Sequence, residues 1–398
     1  DSHFLPAVPL FDRRVKLHRG TPFSEWYTEA NVSATQVANE AAERMLSHRY
    51  STSVQRVIRQ GIQEWPDSTK LDPATGKKSM QYPRTTGWWP GKIKSRGNFY
   101  MASRHKILHD AAQFRFNVRN GLLPDLFLKV AENYTKMHDQ LLGQNSMNDY
   151  IFMDQRHLEF VGTTYNRFNY RYPTRRVSEG EALSSTTDFA AAEARYFHPE
   201  NNPGITVIDD FLSTETLTQM LKMLQSSSIW FDVKEGYLGA YHAEGLASPL
   251  LLQIGEEIRE RLPKIVGSKP LRTIWAYKCM QSSPNGLALH ADAAAVNLNL
   301  WITPDSANLD PEGGGLIVYL SDELPQGWTF EEMNRMSRVR DMRAFLMAQP
   351  STRAVRVPYR QNRAVIFHSR LFHESGKSRF RPGFENMRIN LTFLFGFR

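Results

Sequence analysis

The sequence has little cysteine, no long apolar stretch and no concentrated block of charge, and each shortage excludes a class of protein. Cys279 is the single cysteine among 398 residues, which excludes an internal disulfide framework and a cysteine-rich metal site. No apolar run reaches the roughly 18 residues that a membrane-spanning helix needs. We therefore expect a soluble protein without a membrane partner.

The expected compartment follows from the same scarcity. A lone cysteine favours a reducing environment, and nothing that follows Asp1 is typical of a signal peptide, so we expect a cytoplasmic protein. Three Asn-x-Ser/Thr sequons keep a secretory route open, and they begin at Asn31, Asn133 and Asn390. The last of them falls in a predicted buried strand, which favours chance as its origin.

The charge is positive but dispersed. The formal net charge is +8, from 49 Lys and Arg against 41 Asp and Glu. No DNA-binding helix pair, zinc-finger spacing or RNA-binding sheet motif accompanies it, so we do not expect a nucleic-acid partner. A modest positive charge suits an anionic cosubstrate or an acidic partner and does not decide between them. The oligomeric state stays open.

The change of pattern along the chain predicts two domains. Residues 1–200 show helical periodicity and are expected to form a mainly α-helical N-terminal domain, in which 66–98 is a long loop with aromatic residues. That loop either covers a substrate entrance or is an exposed connector. Residues 201–398 alternate as strands do and are expected to form a second domain, with a helical insertion at 328–348.

Individual helices are predicted from their ends. In the N-terminal domain the helices are expected at 33–46, 53–65, 103–120 and 124–142. Gly121 and Gly143 stand just past two of these ends, where glycine is preferred. In the second domain, Ser213 is a good N-cap for a helix that follows an apolar strand.

The most informative motif is His290-Ala291-Asp292. On an extended strand, residues i and i+2 point to the same face, so His290 and Asp292 can enter one cavity while Ala291 faces away. Two imidazoles and one carboxylate are the ligands of a facial triad, which holds Fe(II) on one side and leaves the other positions open. The motif therefore requires a second histidine from elsewhere in the chain.

Two histidines compete for that role. The apolar run 362–367 predicts a strand, and His368 and His373 both follow it. The strand predicted after the first motif alternates between apolar residues and polar or aromatic ones, with Asn299 and Trp301 on the polar face. A polar face directly after the ligand motif indicates that this face lines a site.

These motifs together resemble the 2-oxoglutarate- and Fe(II)-dependent dioxygenase superfamily over roughly residues 204–398. The resemblance is carried by His290-Ala-Asp292, Gly314-Gly315-Leu316, the 362–367 strand with His373 beyond it, and Arg388-Ile-Asn390. A second histidine that follows a short turn is similar to the prolyl-hydroxylase-like branch, which favours His373 over His368. The resemblance implies an α+β fold whose catalytic domain is a double-stranded β-helix, also called a jelly roll or cupin-like fold.

The resemblance also implies roles. His290, Asp292 and His373 would bind Fe(II), with 2-oxoglutarate as cosubstrate, O2 as oxidant and ascorbate in support. Arg388 would hold the C5 carboxylate of 2-oxoglutarate in a bidentate fork. Further cosubstrate or substrate contacts are expected from Asn390, Tyr277, Asn299 and Trp301. A retained Asp292 implies hydroxylation or another oxidation that uses no bound halide, because related halogenases have Ala or Gly at that position.

The interval between Asp292 and His373 is longer than is usual in the family, which agrees with the insertion at 328–348. That insertion is either a lid over the pocket or a cover on the barrel. The expected reaction is hydroxylation of a protein or peptide side chain, since a helical domain of this size can build a groove. The alternatives are an oxygenase acting on a small-molecule metabolite, a non-catalytic binding module and, as a minor option, a nucleic-acid demethylase.

Overall fold

The computed structural model describes residues 101–143, 145, 151–153, 155–161, 164–279, 282–283, 287–321, 324–335 and 339–397. The helices predicted at 33–46 and 53–65 and the loop predicted at 66–98 lie outside these ranges. Among the described residues, no helix is both long enough and apolar enough to cross a bilayer. The described chain combines helices with antiparallel sheets, as expected of an α+β protein.

The chain divides into two compact units. The first comprises Asp1–Tyr170, Ser228–Glu235 and Ala243–Gly245, and the second comprises Arg171–Ser227, Gly236–His242 and Leu246–Arg398. The predicted boundary at residue 200 falls inside the second unit. All the candidate site residues named above belong to the second unit.

The helices of the described residues are α1 (Arg104–Arg119), α2 (Leu126–Met137), α3 (Gln155–Val161), α4 (Phe189–Tyr196), α5 (Thr214–Ser226), α6 (Pro249–Arg261), α7 (Phe330–Met333) and α8 (Val339–Ala348). A π-helical turn, His138–Leu142, extends α2, and 3-10 turns lie at Pro199–Asn201, Asp305–Ala307 and Phe384–Asn386. The first unit contains the short strands β1 (Met101–Ala102), β2 (Ile151–Phe152) and β4 (Asp232–Lys234).

Helices α1 and α2 are built as the sequence predicts. Ser103 caps α1 by accepting a hydrogen bond from the backbone N–H of Lys106 at 3.3 Å, and Gly121 follows the helix with φ +67°, a conformation that glycine adopts at little cost. The ring of Phe114 lies 5.4 Å from that of Phe127 and 5.4 Å from that of Tyr134. These contacts join the apolar stripe of α2 to α1.

The second unit is organised around a large antiparallel sheet. Its strands are β3 (Ile205–Ile208), β5 (Tyr237–Tyr241), β6 (Leu271–Cys279), β8 (Val296–Trp301), β11 (Ala364–His368) and β14 (Ile389–Phe395). They lie side by side in the order β3-β11-β8-β14-β6-β5. Neighbours in space are therefore far apart in sequence, and residues from several segments share one face of the sheet.

A smaller sheet faces the large one. It contains β10 (Arg353–Val357), β9 (Leu316–Leu320) and β12 (Phe372–Ser375), in that order. Leu316, Val318 and Leu320 of β9 form one buried cluster with Val365 and Phe367 of β11. Burying an aliphatic or aromatic side chain of this kind contributes about 1.5–3 kcal/mol, so this cluster holds the two sheets together.

Gly315 of the Gly-Gly motif lies where the backbone leaves no room for a side chain. A Cβ atom on Gly315 would lie 1.9 Å from the carbonyl oxygen of Val357, because β9 and β10 pair there, with Leu316 opposite Val357. No side chain fits at that distance. The paired strands β7 (Ser282–Ser283) and β13 (Ser378–Arg379) complete the described strands of this unit.

The predicted insertion at 328–348 consists of two helices, α7 and α8, rather than one. A capping box formed by Thr329 and Glu332 begins α7. Met333, Met342 and Leu346 pack with Tyr319 and Phe372 on the face of the small sheet that points away from the large one. The insertion therefore covers the small sheet.

Two polar contacts join the insertion to the His290-Ala291-Asp292 motif and to β12. Asn334 accepts a hydrogen bond from the backbone N–H of Ala291 at 2.8 Å. Arg343 makes a forked ion pair with Glu374, which also accepts a hydrogen bond from the Tyr319 hydroxyl at 2.7 Å. The insertion is thus fixed next to the ligand motif.

We expect Glu257→Ala to destabilise the second unit by roughly 2–4 kcal/mol, because buried donors are left without an acceptor. The Glu257 carboxylate on α6 accepts backbone hydrogen bonds from Gly180 and Ala182 at 3.1 Å and from Leu183 at 2.9 Å. Chemical denaturation measures the change. Glu260→Ala, at an exposed position of the same helix, is the control and should change stability by under about 0.5 kcal/mol. Equal effects of the two substitutions would contradict the expectation.

Candidate metal centre

Two histidines are paired through their backbones. The N–H of His290 donates to the carbonyl of His373 at 3.0 Å, and the N–H of His373 donates back at 2.8 Å. Directly opposed residues of an antiparallel pair project to the same side, and the two ring centroids lie 4.3 Å apart. The backbone thus places side by side two imidazoles that are distant in sequence.

Both imidazoles are oriented by main-chain carbonyls. The Nδ1 atom of His290 lies 2.8 Å from the carbonyl oxygen of Ala288, and Nδ1 of His373 lies 3.1 Å from that of Leu371. A carbonyl accepts only, so each neutral ring carries its proton on Nδ1 and presents the Nε2 lone pair. This is the form in which an imidazole binds a metal ion.

Asp292 contributes the carboxylate. Its Oδ1 lies 3.9 Å from Nε2 of His290, and its Oδ2 lies 3.5 Å from Nε2 of His373. Ala291, between the two ligands, is buried on the opposite side against the insertion, so the predicted alternation holds. The expected continuous strand is not formed: His290 lies in an isolated bridge, and the backbone N–H of Asp292 donates to the carbonyl of Ser369 at 3.2 Å.

The three side chains form a candidate ligand set for a metal ion. One ligand atom from each of His290, Asp292 and His373 can be chosen so that all three lie within 4.8 Å of one another. Two imidazole nitrogens and one carboxylate oxygen are the donors of a facial triad for Fe(II). The donor chemistry and the fixed Nε2 atoms therefore fit a divalent metal ion.

The protonation states also suit a metal. Burial lowers the pKa of the His290 imidazole below its ordinary 6.5, and the neighbouring His373 lowers it further. Burial raises the pKa of the Asp292 carboxyl, but contact with His373 and the charges of both imidazoles outweigh it, so the pKa lies below 3.8. At neutral pH His290 is neutral and Asp292 is ionised, and these forms bind metal without first losing a proton.

A chain of polar side chains leads away from Asp292 along the face of the large sheet. The amide Nδ2 of Asn297 donates to Oδ2 of Asp292, and Asn299 donates to Oδ1 of Asn297 at 2.7 Å. Asn390 and Thr392 both donate to Oδ1 of Asn299 at 3.0 Å. The structure thus directs the amide donors of Asn299 and Asn390 to other side chains of the sheet.

Arg388 immediately precedes β14 and lies two residues before Asn390. It is 4% exposed, and its Nε donates to the carbonyl of Gly314 at 2.6 Å. Its guanidinium lies 3.7 Å from the sulfur of Cys279 and 5.9 Å from the ring centre of Tyr359. Among the described residues, no carboxylate pairs with this buried cation.

Two of the remaining predicted residues, Tyr277 and Trp301, lie directly opposite Asn390 on the two strands that flank β14. Tyr277 lies opposite Asn390 across the β6–β14 pair and packs against Tyr237 with centroids 4.9 Å apart. Trp301 is part of the core between the two sheets and lies 5.4 Å from Tyr359. His368 ends β11 and is absent from the three-residue ligand set that the described residues form.

Two members of this constellation were not proposed from the sequence as site residues. Asn297 was visible as part of the polar face of β8, directly after the ligand motif. Thr392 was visible as the next polar residue after Asn390 on the last predicted strand. Its contact with Asn299 was not predictable, because Asn299 lies on a strand remote in sequence and their pairing is a property of the folded sheet.

No model of a protein family matches the chain, and no curated protein does. Solved structures are similar at low identity. The epimerase SnoN, in complex with Fe3+, alpha ketoglutarate and nogalamycin RO, is 15% identical with a TM-score of 0.37, over 52% of this chain and 83% of that chain. HygX from Streptomyces hygroscopicus, with nickel, 2-oxoglutarate and hygromycin B bound, is 12% identical with a TM-score of 0.35, over 48% and 82%. A prolyl 4-hydroxylase structure from Phytophthora capsici is 13% identical with a TM-score of 0.32, over 57% and 70%.

Proposed function

We propose that this protein is an Fe(II)- and 2-oxoglutarate-dependent dioxygenase that hydroxylates a protein or peptide side chain. The observation that carries the proposal is the convergence of His290, Asp292 and His373 within 4.8 Å, with both Nδ1 atoms held by backbone carbonyls. We further propose that the two facing antiparallel sheets are a double-stranded β-helix. Ligands from distant segments then meet inside it, as they do in barrels.

In the proposed mechanism His290, Asp292 and His373 would hold Fe(II), as a facial triad of two imidazoles and one carboxylate does. When bound, the iron supplies the activation of O2 for attack on a substrate C–H bond, with 2-oxoglutarate as the reductant. The chain's own contribution is to orient the ligands and exclude water. The ring of Phe367 packs edge-on against His373 at 4.8 Å, which keeps that side of the site dry.

Arg388 is proposed to bind the C5 carboxylate of 2-oxoglutarate. A buried guanidinium without a carboxylate partner is costly, and a dicarboxylate supplies that partner. The planar fork of arginine fits a carboxylate through two parallel hydrogen bonds. Tyr277 and Trp301, on the same face as Asn390, are proposed to border the cosubstrate or the substrate.

The protein-substrate proposal is supported by the position of the second histidine. β11 ends at His368, and β12 carries His373 after the three residues 369–371. This is the arrangement by which the sequence resembles prolyl-hydroxylase-like oxygenases. A small-molecule metabolite is the competing substrate class.

The reaction class is tested by succinate release from the full chain with Fe(II), 2-oxoglutarate, O2 and ascorbate, and by mass spectrometry of a peptide panel and a metabolite panel. We expect succinate, and a gain of one oxygen atom on a peptide. Asp292→Ala and His373→Ala should abolish both, because each removes a ligand. His368→Ala is the matched control and should retain both activities.

Two outcomes would contradict the proposal. Loss of succinate release in His368→Ala but not in His373→Ala would show that the ligand set is wrong. Oxygen gain confined to the metabolite panel would keep the oxygenase and overturn the protein substrate.

For Arg388→Met we expect the KM for 2-oxoglutarate to rise by about 10–100-fold, because a charge-assisted bidentate contact is lost. Arg388→Lys should give a smaller rise, since a lysine keeps the charge without the fork. Metal affinity, measured by calorimetry with Mn(II), should stay within about threefold of wild type. Arg381→Met, at an exposed position nearby, is the control for a general loss of positive charge. An unchanged KM in Arg388→Met would assign the C5 carboxylate to another residue.

A further inference from the structure

Four polar side chains on β8 and β14 are buried next to the metal centre. Asn297, Asn299, Asn390 and Thr392 are 0%, 7%, 5% and 2% exposed, respectively. Burying a polar group costs free energy unless it is hydrogen-bonded. The opposite face of β8 is filled by Val296, Leu298 and Leu300, so this sheet readily accommodates apolar residues.

Sheet register brings the four side chains together. Asn299 lies directly opposite Thr392, and Trp301 lies opposite Asn390, across the antiparallel β8–β14 pair. Asn297 precedes Asn299 by two residues and therefore shares its face. The cluster is thus a continuous row that ends at Asp292.

The hydrogen bonds of this row run in one direction. An ionised Asp292 can only accept, so Asn297 must turn its NH2 group to it and its oxygen to Asn299. The oxygen of Asn299 then accepts from Asn390 and Thr392, and Asn390 also donates to the Thr392 hydroxyl at 2.9 Å. Turning over the Asn297 or Asn299 amide would set donors face to face and acceptors face to face. Every donor therefore points towards the carboxylate.

We propose that Asn297, Asn299, Asn390 and Thr392 form a relay that fixes the rotation of the Asp292 carboxylate and keeps it a single-oxygen ligand. They are positioning residues, because they act on the metal through Asp292. Asn297 occupies one of the two acceptor positions of Oδ2, which favours Oδ1 as the oxygen that binds the metal. This inference rests on the proposed iron site.

The consequence concerns the open side of the metal. A carboxylate that is free to rotate can bind through both oxygens and occupy one more coordination position. A triad serves an oxygenase only while the positions opposite the three protein ligands remain available. The relay thus preserves room for cosubstrate and oxidant, and hydrogen-bonded partners of metal ligands also strengthen binding.

The test is titration of the full chain with Co(II), without 2-oxoglutarate, followed by calorimetry and by the visible absorption of the bound Co(II). Asn297→Ala should weaken Co(II) binding by about 10–100-fold and alter the absorption bands, because both orientation and coordination number change. Thr392→Val removes the most remote hydroxyl without changing side-chain volume. It should shift affinity in the same direction by a smaller factor, and Thr392→Ser should restore wild-type values.

Thr206→Val is the matched control, because the Thr206 hydroxyl is buried in the same sheet and is without a hydrogen-bond partner. It should leave affinity and spectrum unchanged. Wild-type protein that binds no Co(II) would defeat the proposed iron site itself. Wild-type binding together with unchanged affinity and spectra in Asn297→Ala and Thr392→Val would overturn the relay alone. Thermal unfolding of each variant separates loss of fold from loss of affinity, and Thr392→Val decides if Asn297→Ala does not fold.

Discussion

The site depends first on two backbone hydrogen bonds, those that His290 and His373 exchange. The two histidines are far apart in the sequence, but these bonds place them directly opposite each other in an antiparallel pair. Both imidazoles therefore project to one side. Asp292 reaches the same side because it stands two residues after His290. The positions of the three side chains thus follow from the pairing of the strands, and the backbone carbonyls that contact each Nδ1 orient the two rings further.

The face of the large sheet that points towards the small sheet has an apolar half and a polar half. Over β3 and β11 it is apolar and packs against the small sheet through Val365, Phe367 and Val318. Over β8 and β14 the same face carries Asn299 and Thr392. The free-energy cost of burying these polar side chains is offset by their hydrogen bonds to one another and to neighbouring amides. Stability is supplied by the first half of the face, which leaves the second half available for chemistry.

The parts of this arrangement that could be predicted from the sequence were those that follow from the alternation of side chains along a single strand. The shared face of His290 and Asp292, with Ala291 turned away, needs only the period of a strand. The choice of His373 over His368 needed the resemblance to a known family, since both follow the same strand. The pairing of Thr392 with Asn299 could not be predicted, because strand register across β8 and β14 is fixed by long-range pairing. The break between α7 and α8 was missed because apolar spacing suits one helix or two equally well.

Charge explains why such a site can be buried at all. In the proposed complex a divalent cation and the Arg388 guanidinium are balanced by the Asp292 carboxylate and a dicarboxylate cosubstrate, so the enclosed charges sum to zero. A buried set of charges is tolerated only when it is paired and hydrogen-bonded. Without the carboxylate the set would carry one positive charge too many and would need another anion, such as a halide. In that complex Asp292 would set both the coordination geometry and the charge of the pocket, and this double role is the reason we assign to the row of buried polar side chains that holds it.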